Sequence, residues 1–579
     1  MSDYYAEVIP NVDLPLGNTT FSYHIPQQLK PKIRVGQWVE ITFARRKTFA
    51  VVSKITTTKP QLKKISPIRS LLNQHFILPP IFLSLAQFLA RRYLVSLSKA
   101  LFCQIPPTTP TKIKKLPALH PHQLPKRSGR IEVILGSYSR RVGLYIKQLS
   151  RIKGSSLVLL PNKFQAQSFY QLAQRTFGAS RVISLIDLPT HRRFTRWAET
   201  LVSQQKIIVG TRGALFVFPQ DLKLIIVDQP ESFGFYSEQA PTFSVLPVSL
   251  EISRQLGVKL VIGEIVPGSQ LYKEISQRKI PLKIEKIQKP NLLYVLPVNR
   301  PILNPVITTI IQQELRAKRK VLIYSNQAGF YKLFCQDCQE YLACPRCQRH
   351  FQVVADRLVC PYCKHSQPIE QCPVCQGVRL KKQAFGLNWI WQKIKSEFPQ
   401  AKIAVVTSKT PLTLKEYQQK EIFLATSAIF ANFFYSFGIA VFLDLDFFLA
   451  RPNPQALEGL LKSFWQVKDL GAHRIIVETQ NPEHPLFVAT RNFQNTLQFI
   501  TILVIKLRQA QLPPFTHLVT LKCAPREFPK LQKAIAERGE ASVDESQHQI
   551  KILASDLEKL AQFLQKIKIS SLRIGVDLP

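Results

Sequence analysis

Apolar residues recur in short runs along most of this chain, and their spacing changes near residue 131. Residues 1–105 alternate short β-type runs with turns and then give a helical pattern in "PPIFLSLAQFLARRYLV". From 131 onward, continuous apolar runs alternate with helical patterns. Continuous apolar strands are typical of a parallel sheet that is covered on both faces. The pattern predicts a β-rich N-terminal domain followed by α/β lobes.

The apolar runs after residue 131 form two sets. The first set is "IEVIL", "SSLVLLP", "KIIVGT", "LKLIIVD" and "VKLVIGE", and the second is "RKVLIYS", "AKIAVVTS", "EIFLATS", "IAVFLDLD" and "HRIIVET". Each set spans a usual domain size. We therefore predict an α/β multidomain protein with a β-rich domain at 1–105, a linker at 106–130, parallel-sheet lobes at 131–285 and 286–485, and a small α+β domain at 486–579.

The segment 106–130, "PPTTPTKIKKLPALHPHQLPKRSGR", is rich in proline and basic residues. Such a composition is typical of an extended linker rather than a packed element.

One stretch resembles a membrane span. Ile422–Leu443 carries no charge and is long enough to cross a bilayer. It contains Asn432, however, and leads directly into Asp444. Two buried strands joined by a loop are the better prediction. The start "MSDYYAEVIP" has neither a basic region nor an apolar run of the kind found in signal peptides, and we expect a cytoplasmic protein without membrane association.

The charge balance points to a polyanionic partner. The 579 residues include 78 Lys and Arg against 37 Asp and Glu, a formal net charge of +41. The excess is spread over the whole chain, and nucleic acid is the natural partner for such a field. The alternatives are a ribosomal protein, a membrane-surface protein, or a proteome that is rich in lysine.

Eight of the ten cysteines lie between 335 and 375 and form four Cys-x-x-Cys pairs. A two-residue gap lets both thiolates of one tight turn bind the same ion, and two such turns complete a tetrahedron. The spacing and the expected intracellular location favour two structural Zn²⁺ ions over disulfides. The predicted ligands are Cys335, Cys338, Cys344, Cys347, Cys360, Cys363, Cys372 and Cys375, in a double zinc-ribbon module at 331–380 inside the second lobe.

The spacing leaves open which turns share an ion. Twelve residues separate Cys347 from Cys360, which is close to zinc-ribbon spacing. The two outer pairs would then share the other ion in a nested arrangement.

A candidate nucleotide site follows the strand at 224–227. Asp228 stands at the carboxyl end of this apolar run, where nucleotide-hydrolysing enzymes hold Mg²⁺. The next residue, where a carboxylate base is expected, is Gln229, and Glu231 comes two positions later.

Together these stretches resemble the primosomal protein N′ (PriA) family of replication-restart DNA helicases. The residues that carry the resemblance are "AEVIPNVDLPLGNTTFSYHIPQQLKPKIRVGQWVEITFARRKTFAVVSKI", "IIVGTRGALFVFPQDLKLIIVDQPESFGFYSEQAPTF", the zinc motif, "ETQNPEHP" and "LPPFTHLVTL". The resemblance implies a 3′-DNA-binding domain at 1–105, two RecA-like helicase lobes, nested zinc pairing and ATP-driven 3′→5′ unwinding. The linker is too short for the family's winged-helix domain.

The phosphate loop and the acidic motif both depart from the family pattern. The loop aligns with "LGSYSRRVGLY" at 135–145, where Gly136 remains. Arg140 stands in place of a glycine, Arg141 stands in place of the lysine, and Val142 stands in place of the threonine that binds Mg²⁺ in the family. The DEEH-like motif has become Asp-Gln-Pro-Glu at 228–231, which keeps one metal-binding acid and loses the base.

Two further helicase motifs are also altered. The segment that couples hydrolysis to movement is "EIVPG" at 264–268, and the family's arginine motif is "QVKDLGAH" at 466–473. Leu470 and His473 stand at the two arginine positions. An arginine finger contributes roughly 10³–10⁵ in rate. We predict that Gly136, Arg141, Asp228, Gln229 and Glu231 are degenerate remnants of an ATP-hydrolysing site, and that ATP and Mg²⁺ are not working cofactors.

DNA-binding residues are expected from the resemblance. Phe21, Tyr23 and Lys63 correspond to the family's pocket for a 3′ end, where rings stack on a base and a lysine meets phosphate. Thr211 and Arg212 belong to a motif that faces the DNA backbone in the family. Ordinary core packing is the alternative for each aromatic residue.

These observations predict a PriA-like primosomal protein that binds forked or single-stranded DNA in replication restart without ATPase or helicase activity. An active 3′→5′ helicase and a zinc-ribbon scaffold that binds RNA or protein are the alternatives. Candidate protein partners are other primosome, single-strand-binding or helicase-loading proteins.

Overall fold

The computed structural model describes residues 4–577, with gaps. The gaps fall at 18–19, 63, 120–123, 126–127, 238, 296–302, 326–330, 347–350, 355–356, 361–364, 385–386, 432–434, 444, 446–448, 450–453, 480, 537–540, 545–547, 568 and 570.

The N-terminal part is an antiparallel sheet of five strands. They are β1 (Tyr5–Pro10), β2 (Phe21–His24), β3 (Trp38–Phe43), β4 (Arg46–Thr56) and β5 (Ser70–Leu71), in the order β2-β1-β4-β3-β5. Alternation along the strands directs Val8, Val39 and Val52 into one core. The prediction of a β-rich start is confirmed.

Three helices follow this sheet: α1 (Pro80–Tyr93), α2 (Leu97–Phe102) and α3 (Pro110–Lys114). Helix α1 has proline in its first position, where no backbone donor is needed, and buries Ile81, Leu85 and Leu89 on one face. This is the predicted helix.

The extended linker predicted for 106–130 is wrong for its described first half. Helix α3 is packed, with Ile113 and Leu119 buried. The side-chain amide of Asn73 donates to the carbonyl oxygens of Ile113 (3.0 Å) and Leu116 (3.2 Å). Apolar residues three positions apart anchor the segment, although its overall composition is that of a linker.

The next region is a fully parallel sheet of seven strands. They are β6 (Ile131–Leu135), β7 (Ser155–Leu159), β8 (Val182–Ser184), β9 (Ile207–Gly210), β10 (Leu222–Asp228), β11 (Lys259–Glu264) and β12 (Leu282–Ile284). Their order is β12-β6-β11-β10-β7-β9-β8. All five predicted strands are present, and the two that were not predicted form the edges.

Five helices accompany this sheet: α4 (Tyr138–Arg151), α5 (Lys163–Phe177), α6 (Thr190–Val202), α7 (Val245–Leu256) and α8 (Ser269–Arg278). Each buries an apolar face, which includes Leu149 on α4, Phe169 on α5 and Trp197 on α6. The order of neighbouring strands brings the carboxyl ends of β6, β11 and β10 together.

A second parallel sheet has six strands. They are β13 (Leu292–Val295), β14 (Val321–Tyr324), β21 (Ile403–Val406), β22 (Ile422–Ala425), β23 (Ile439–Phe442) and β24 (Arg474–Glu478), in the order β13-β24-β23-β14-β22-β21. Its helices are α9 (Pro305–Arg316), α10 (Leu387–Glu397), α11 (Leu414–Gln419), α12 (Pro454–Asp469) and α13 (Pro485–Ala489). The α/β prediction for this lobe is confirmed.

The uncharged stretch at 422–443 supplies two neighbours of β14 in this sheet, β22 and β23. Among the described residues, no helix is long and apolar enough to span a bilayer. The prediction of two buried strands is confirmed, while Asn432 and Asp444 lie outside the described residues.

The cysteine-rich region between β14 and α10 forms two small antiparallel sheets. Strands β15 (Tyr331–Cys335), β16 (Glu340–Tyr341) and β20 (Leu380–Ala384) make one, and β17 (Gln352–Val354), β18 (Arg357–Val359) and β19 (Ser366–Pro368) make the other.

The C-terminal part has the predicted α+β character. Helix α14 (Phe493–Gln509) precedes this part in the chain. Strands β25 (His517–Lys522), β26 (Ala541–Asp544), β27 (Gln549–Ala554) and β28 (Arg573–Val576) form an antiparallel sheet, and the chain between them forms α15 (Phe528–Ala536) and α16 (Leu557–Lys566).

Contacts within the chain define two compact units. One comprises 1–135, 139–285 and 504–579, and the other comprises 136–138 and 286–503.

Candidate nucleotide site, metal centre and DNA-binding residues

The connection at the expected phosphate loop is very short. Strand β6 ends at Leu135 and helix α4 begins at Tyr138, so Gly136 and Ser137 alone connect them. A phosphate loop needs a longer glycine-rich turn whose successive backbone N–H groups surround the phosphates before the helix begins. Here only two residues separate the strand from the helix, and Arg141 already lies inside the helix.

Arg141 forms a buried ion pair with Asp228. Its Nε lies 2.7 Å from Oδ1 of Asp228 and its Nη2 3.1 Å from Oδ2, and both side chains are fully buried. Burial would lower the pKa of Arg141, but the Asp228 carboxylate raises it, so the guanidinium stays charged. Arg141, which stands at the lysine position of the family's phosphate loop, therefore binds Asp228, the acid expected to hold Mg²⁺.

Tyr145 completes this cluster. It follows Arg141 by one helical turn on α4, and its hydroxyl donates to Oδ1 of Asp228 at 2.5 Å. Burial, reinforced by the charge of Asp228, raises the pKa of Tyr145 well above its ordinary value, so the hydroxyl remains a neutral donor. A Cβ on Gly263 would lie 1.5 Å from this hydroxyl oxygen, which is why glycine is needed in β11. Both oxygens of Asp228 are thus bound within the lobe.

The rest of the acidic motif has structural partners. Gln229 is buried with a positive φ of 52°, and its backbone N–H donates to the carbonyl of Gly263 at 2.7 Å. The carboxylate of Glu231 accepts from the backbone N–H groups of Gly268 (2.7 Å) and Leu271 (3.0 Å). Glu231 therefore caps helix α8, where a negative charge is favourable.

Three other positions of the altered helicase motifs have local partners within the fold. Val142 packs against the core of the seven-stranded sheet. In the other unit, Leu470 is buried just after α12. His473 lies 3.6 Å from Glu314, from its Nε2 to a carboxylate oxygen. A buried leucine offers no charge to a transferring phosphate.

Thr211 and Arg212 follow β9 at the carboxyl edge of its sheet. The guanidinium of Arg212 donates to the carbonyl oxygens of Tyr236 and Gly234, the latter at 3.4 Å. This ties Arg212 to the loop that follows the acidic motif. Both residues line a cleft of about 930 Å³.

The predicted 3′-end pocket is described in part, because Lys63 lies outside the described residues. Tyr23 is buried, and its hydroxyl donates to the carbonyl of Thr42 at 2.8 Å. Tyr23 is therefore a core residue of the N-terminal sheet, which was the alternative to a role in base stacking. Phe21 is only partly buried, with its ring edge-on to Phe43 at 4.8 Å, so Phe21 is the better candidate for stacking on a base.

Four predicted zinc ligands come together from the two outer turns. Ligand sulfurs of Cys335, Cys338, Cys372 and Cys375 all lie within 4.8 Å of one another. Sγ of Cys335 lies 3.5 Å from Sγ of Cys375, and Sγ of Cys338 lies 3.8 Å from Sγ of Cys372. Tetrahedral Zn–S bonds of about 2.3 Å place sulfurs roughly 3.8 Å apart. The four thiols can hold one zinc ion, which would crosslink the two turns.

Hydrogen bonds join these two turns directly. The carboxylate of Asp337 accepts from the backbone N–H (3.2 Å) and Nε (2.5 Å) of Arg379. The backbone N–H of Gly377 lies 3.4 Å from Sγ of Cys375 and lowers the pKa of this thiol, which favours the thiolate that a metal binds.

The second predicted zinc site is described only in part. Cys344 and Cys360 are buried in the core of the module, whereas Cys347 and Cys363 lie outside the described residues.

Sequence reasoning missed Tyr145 and Gly263 as members of the buried cluster. The available signal was helical spacing, because Tyr145 stands four positions after Arg141. The spacing shows that they share a helix face, but not that this face is directed at Asp228.

Comparison with known proteins identifies the N-terminal domain. The family model of the PriA 3′DNA-binding domain (3′BD) matches residues 7–106. These residues contain the five-stranded sheet, except for the first two residues of β1, and helices α1 and α2.

Relatives match over much larger parts of the chain. The replication restart protein PriA of Helicobacter pylori strain J99 is 24% identical over 501 residues, 80% of this chain and 79% of its own. The protein of the same name from H. pylori strain 26695 is 25% identical over 405 residues, 67% of this chain and 65% of its own. Among solved structures, RecG bound to a three-way DNA junction aligns with 73% of this chain and 50% of its own, at 12% identity and a TM-score of 0.34.

The N-terminal domain model, the order of segments and the long matches to these relatives agree with one another. Residues 7–106 therefore match the 3′DNA-binding domain of the PriA family, and the chain as a whole is similar to PriA replication restart proteins at 24–25% identity.

Proposed function

We propose that this protein binds forked or branched DNA in replication restart without hydrolysing ATP or unwinding DNA. The observation that carries the proposal is the buried pair of Arg141 and Asp228. In an active nucleotide-hydrolysing site, the acid at the position of Asp228 holds Mg²⁺, and the basic residue of the phosphate loop contacts phosphate. Here the guanidinium of Arg141 and the carboxylate of Asp228 bind each other instead.

The other requirements of hydrolysis are missing as well. Gln229 cannot accept a proton from water, Val142 offers the metal no oxygen, and Leu470 brings no charge to the phosphate. Since these groups act as one unit, the loss of several cannot be offset by the Asp228 carboxylate.

DNA binding is supported by features that do not depend on ATP hydrolysis. The net charge is +41, and the N-terminal domain matches a 3′-DNA-binding family model. Two structural zinc ions would stabilise the cysteine-rich module. The proposed location is the cytoplasm, and the proposed protein partners are other primosome, single-strand-binding or helicase-loading proteins.

Replacing Phe21 with alanine is expected to reduce the preference for forks with a free 3′ hydroxyl more than it reduces general affinity. Base stacking on a ring contributes about 1–3 kcal/mol, whereas phosphate contacts do not distinguish the two ends. Fluorescence anisotropy with 3′-hydroxyl and 3′-phosphorylated forks, with and without ATP, measures the difference.

Phe164→Ala is the matched control, because this ring is 36% exposed on α5, outside the N-terminal domain. It should leave the preference unchanged. Equal binding of both forks by the unmodified protein would show that the pocket is absent. Equal affinity for RNA of the same shape would favour the RNA-binding scaffold instead.

A further inference from the structure

A strongly basic surface is formed by two short elements of the first unit. Helix α3, the residue that follows it and the exposed side of α6 contribute six basic side chains, and we name this surface the basic patch: Lys112, Lys114, Lys115, Arg192, Arg193 and Arg196. None of these residues belongs to the candidate nucleotide site, the zinc module or the 3′-end pocket.

Helix α3 is held in place through its backbone. Asn73 binds the carbonyl oxygens of Ile113 and Leu116, and the backbone N–H of Leu119 donates to the carbonyl of His75 at 2.9 Å. Because the anchoring uses the backbone and the apolar side chains, Lys114 and Lys115 remain exposed to solvent. The segment is therefore a fixed element with a basic outer surface.

Helix α6 presents its arginines for a similar reason. Its apolar side is buried, with the ring of Trp197 lying 6.3 Å from Phe76 and 5.7 Å from Phe82. The arginines occupy the intervening positions of the helix and are left outside.

The two elements are in contact. The Nζ of Lys112 donates to the carbonyl oxygen of His191, at the start of α6, at 3.2 Å. The patch is therefore one continuous surface built from residues about 80 positions apart in sequence.

Little acidic charge balances this surface. Within the part of the chain that the structure describes, Arg196 alone among the six has an acidic partner, Glu199 at 3.4 Å. Nε of Arg193 donates to the carbonyl of Leu188 at 2.8 Å, which orients the guanidinium without neutralising it. The remaining charge favours a polyanion.

We propose that the basic patch binds the phosphate backbone of duplex DNA, and this inference rests on the proposed function. Single-strand sites combine basic residues with exposed aromatic rings on which bases stack. The rings of α6, Phe194 and Trp197, are buried. Among the described residues of α3 and α6 no Phe, Tyr or Trp ring is exposed, and such a surface of Lys and Arg favours the regularly spaced phosphates of a duplex arm.

The test is a charge-reversal variant, Lys114→Glu with Lys115→Glu and Arg192→Glu. Its matched control is Lys147→Glu with Lys153→Glu and Lys223→Glu, three exposed lysines of the same unit that give the same change in net charge. Binding to a blunt duplex and to oligo(dT), each of about 20 nucleotides per strand, is measured by anisotropy over a range of salt concentrations. Thermal melting verifies that both variants are folded.

The patch variant is expected to bind the duplex at least about tenfold more weakly than the control, with the salt slope lower by roughly 2–3. Its affinity for oligo(dT) should match that of the control. If the two variants bind the duplex equally well, the basic patch does not bind DNA. If the patch variant loses as much affinity for oligo(dT) as for the duplex, the patch is not specific for duplex DNA. If the unmodified protein binds no DNA at all, the proposed function itself is wrong.

Discussion

The Asp228→Ala variant should have a free energy of unfolding about 3–5 kcal/mol below that of the unmodified protein. The substitution leaves the guanidinium of Arg141 fully buried without its carboxylate, and removes the acceptor of the Tyr145 hydroxyl. An unpaired charge in the interior is one of the costliest defects that a single substitution can create. Urea denaturation of the full chain, monitored by fluorescence, measures the loss.

Two controls separate this effect from a general sensitivity to losing an acid. Asp187→Asn neutralises a carboxylate that is 73% exposed and 3.9 Å from Lys163, and should change stability by less than about 0.5 kcal/mol, because asparagine tolerates the positive φ of 48° at this position. The triple variant Arg141→Met, Tyr145→Phe and Asp228→Leu should recover most of the loss, because buried ion pairs can be replaced by apolar groups of similar volume. If Asp228→Ala were as stable as Asp187→Asn, the buried pair would not exist.

The unmodified protein is expected to hold about two zinc ions, and Cys335→Ser should hold one. Zinc binding in comparable modules contributes about 10–16 kcal/mol, available only when the thiolates are assembled. Cys335 belongs to the cluster of four cysteines from the outer turns. Its replacement should therefore empty that site and leave the ion predicted for Cys344, Cys347, Cys360 and Cys363. Metal analysis of the purified proteins gives the count.

Cys523→Ser is the matched control, since this partly exposed cysteine lies in the C-terminal part, outside the cysteine-rich module. It should keep both ions. One zinc in the unmodified protein, or the loss of both in Cys335→Ser, would contradict the nested arrangement.

The central strands of both lobes could be predicted from sequence, whereas three of the four edge strands of the two parallel sheets could not; β21, with its apolar run, is the edge strand that was predicted. Strands such as β10 and β23 are buried on both faces, so nearly every position is apolar. Strands β8, β12 and β13 lie at sheet edges, and all three residues of β12 are exposed. An edge strand needs few apolar residues, so its sequence resembles a loop.

The linker segment shows how composition can mislead. Prolines and lysines dominate residues 106–119, yet Ile113, Leu116 and Leu119 are buried. The partner that makes this possible, Asn73, lies about 40 positions earlier. A contact of this range cannot be inferred from local patterns.

The candidate nucleotide site could be predicted by position but not by geometry. The sequence places Arg141 shortly after one apolar strand and Asp228 at the carboxyl end of another, and the residues Val142 and Gln229 already indicate a lost function. That Arg141 is directed inward onto Asp228 depends on Tyr145 beside it and on the space left by Gly263. Tertiary packing of this kind leaves no periodic signal in the sequence.

ATP turnover by the purified full-length protein, with Mg²⁺ and an excess of forked DNA, decides whether the engine is lost. We expect no phosphate release above the protein-free background, and none from Gln229→Glu or Arg141→Lys, because each variant restores one group of a unit that lacks several. Turnover that is stimulated by forked DNA and disappears in Asp228→Asn would show that Asp228 still holds a metal ion, and would contradict the proposed loss of hydrolysis.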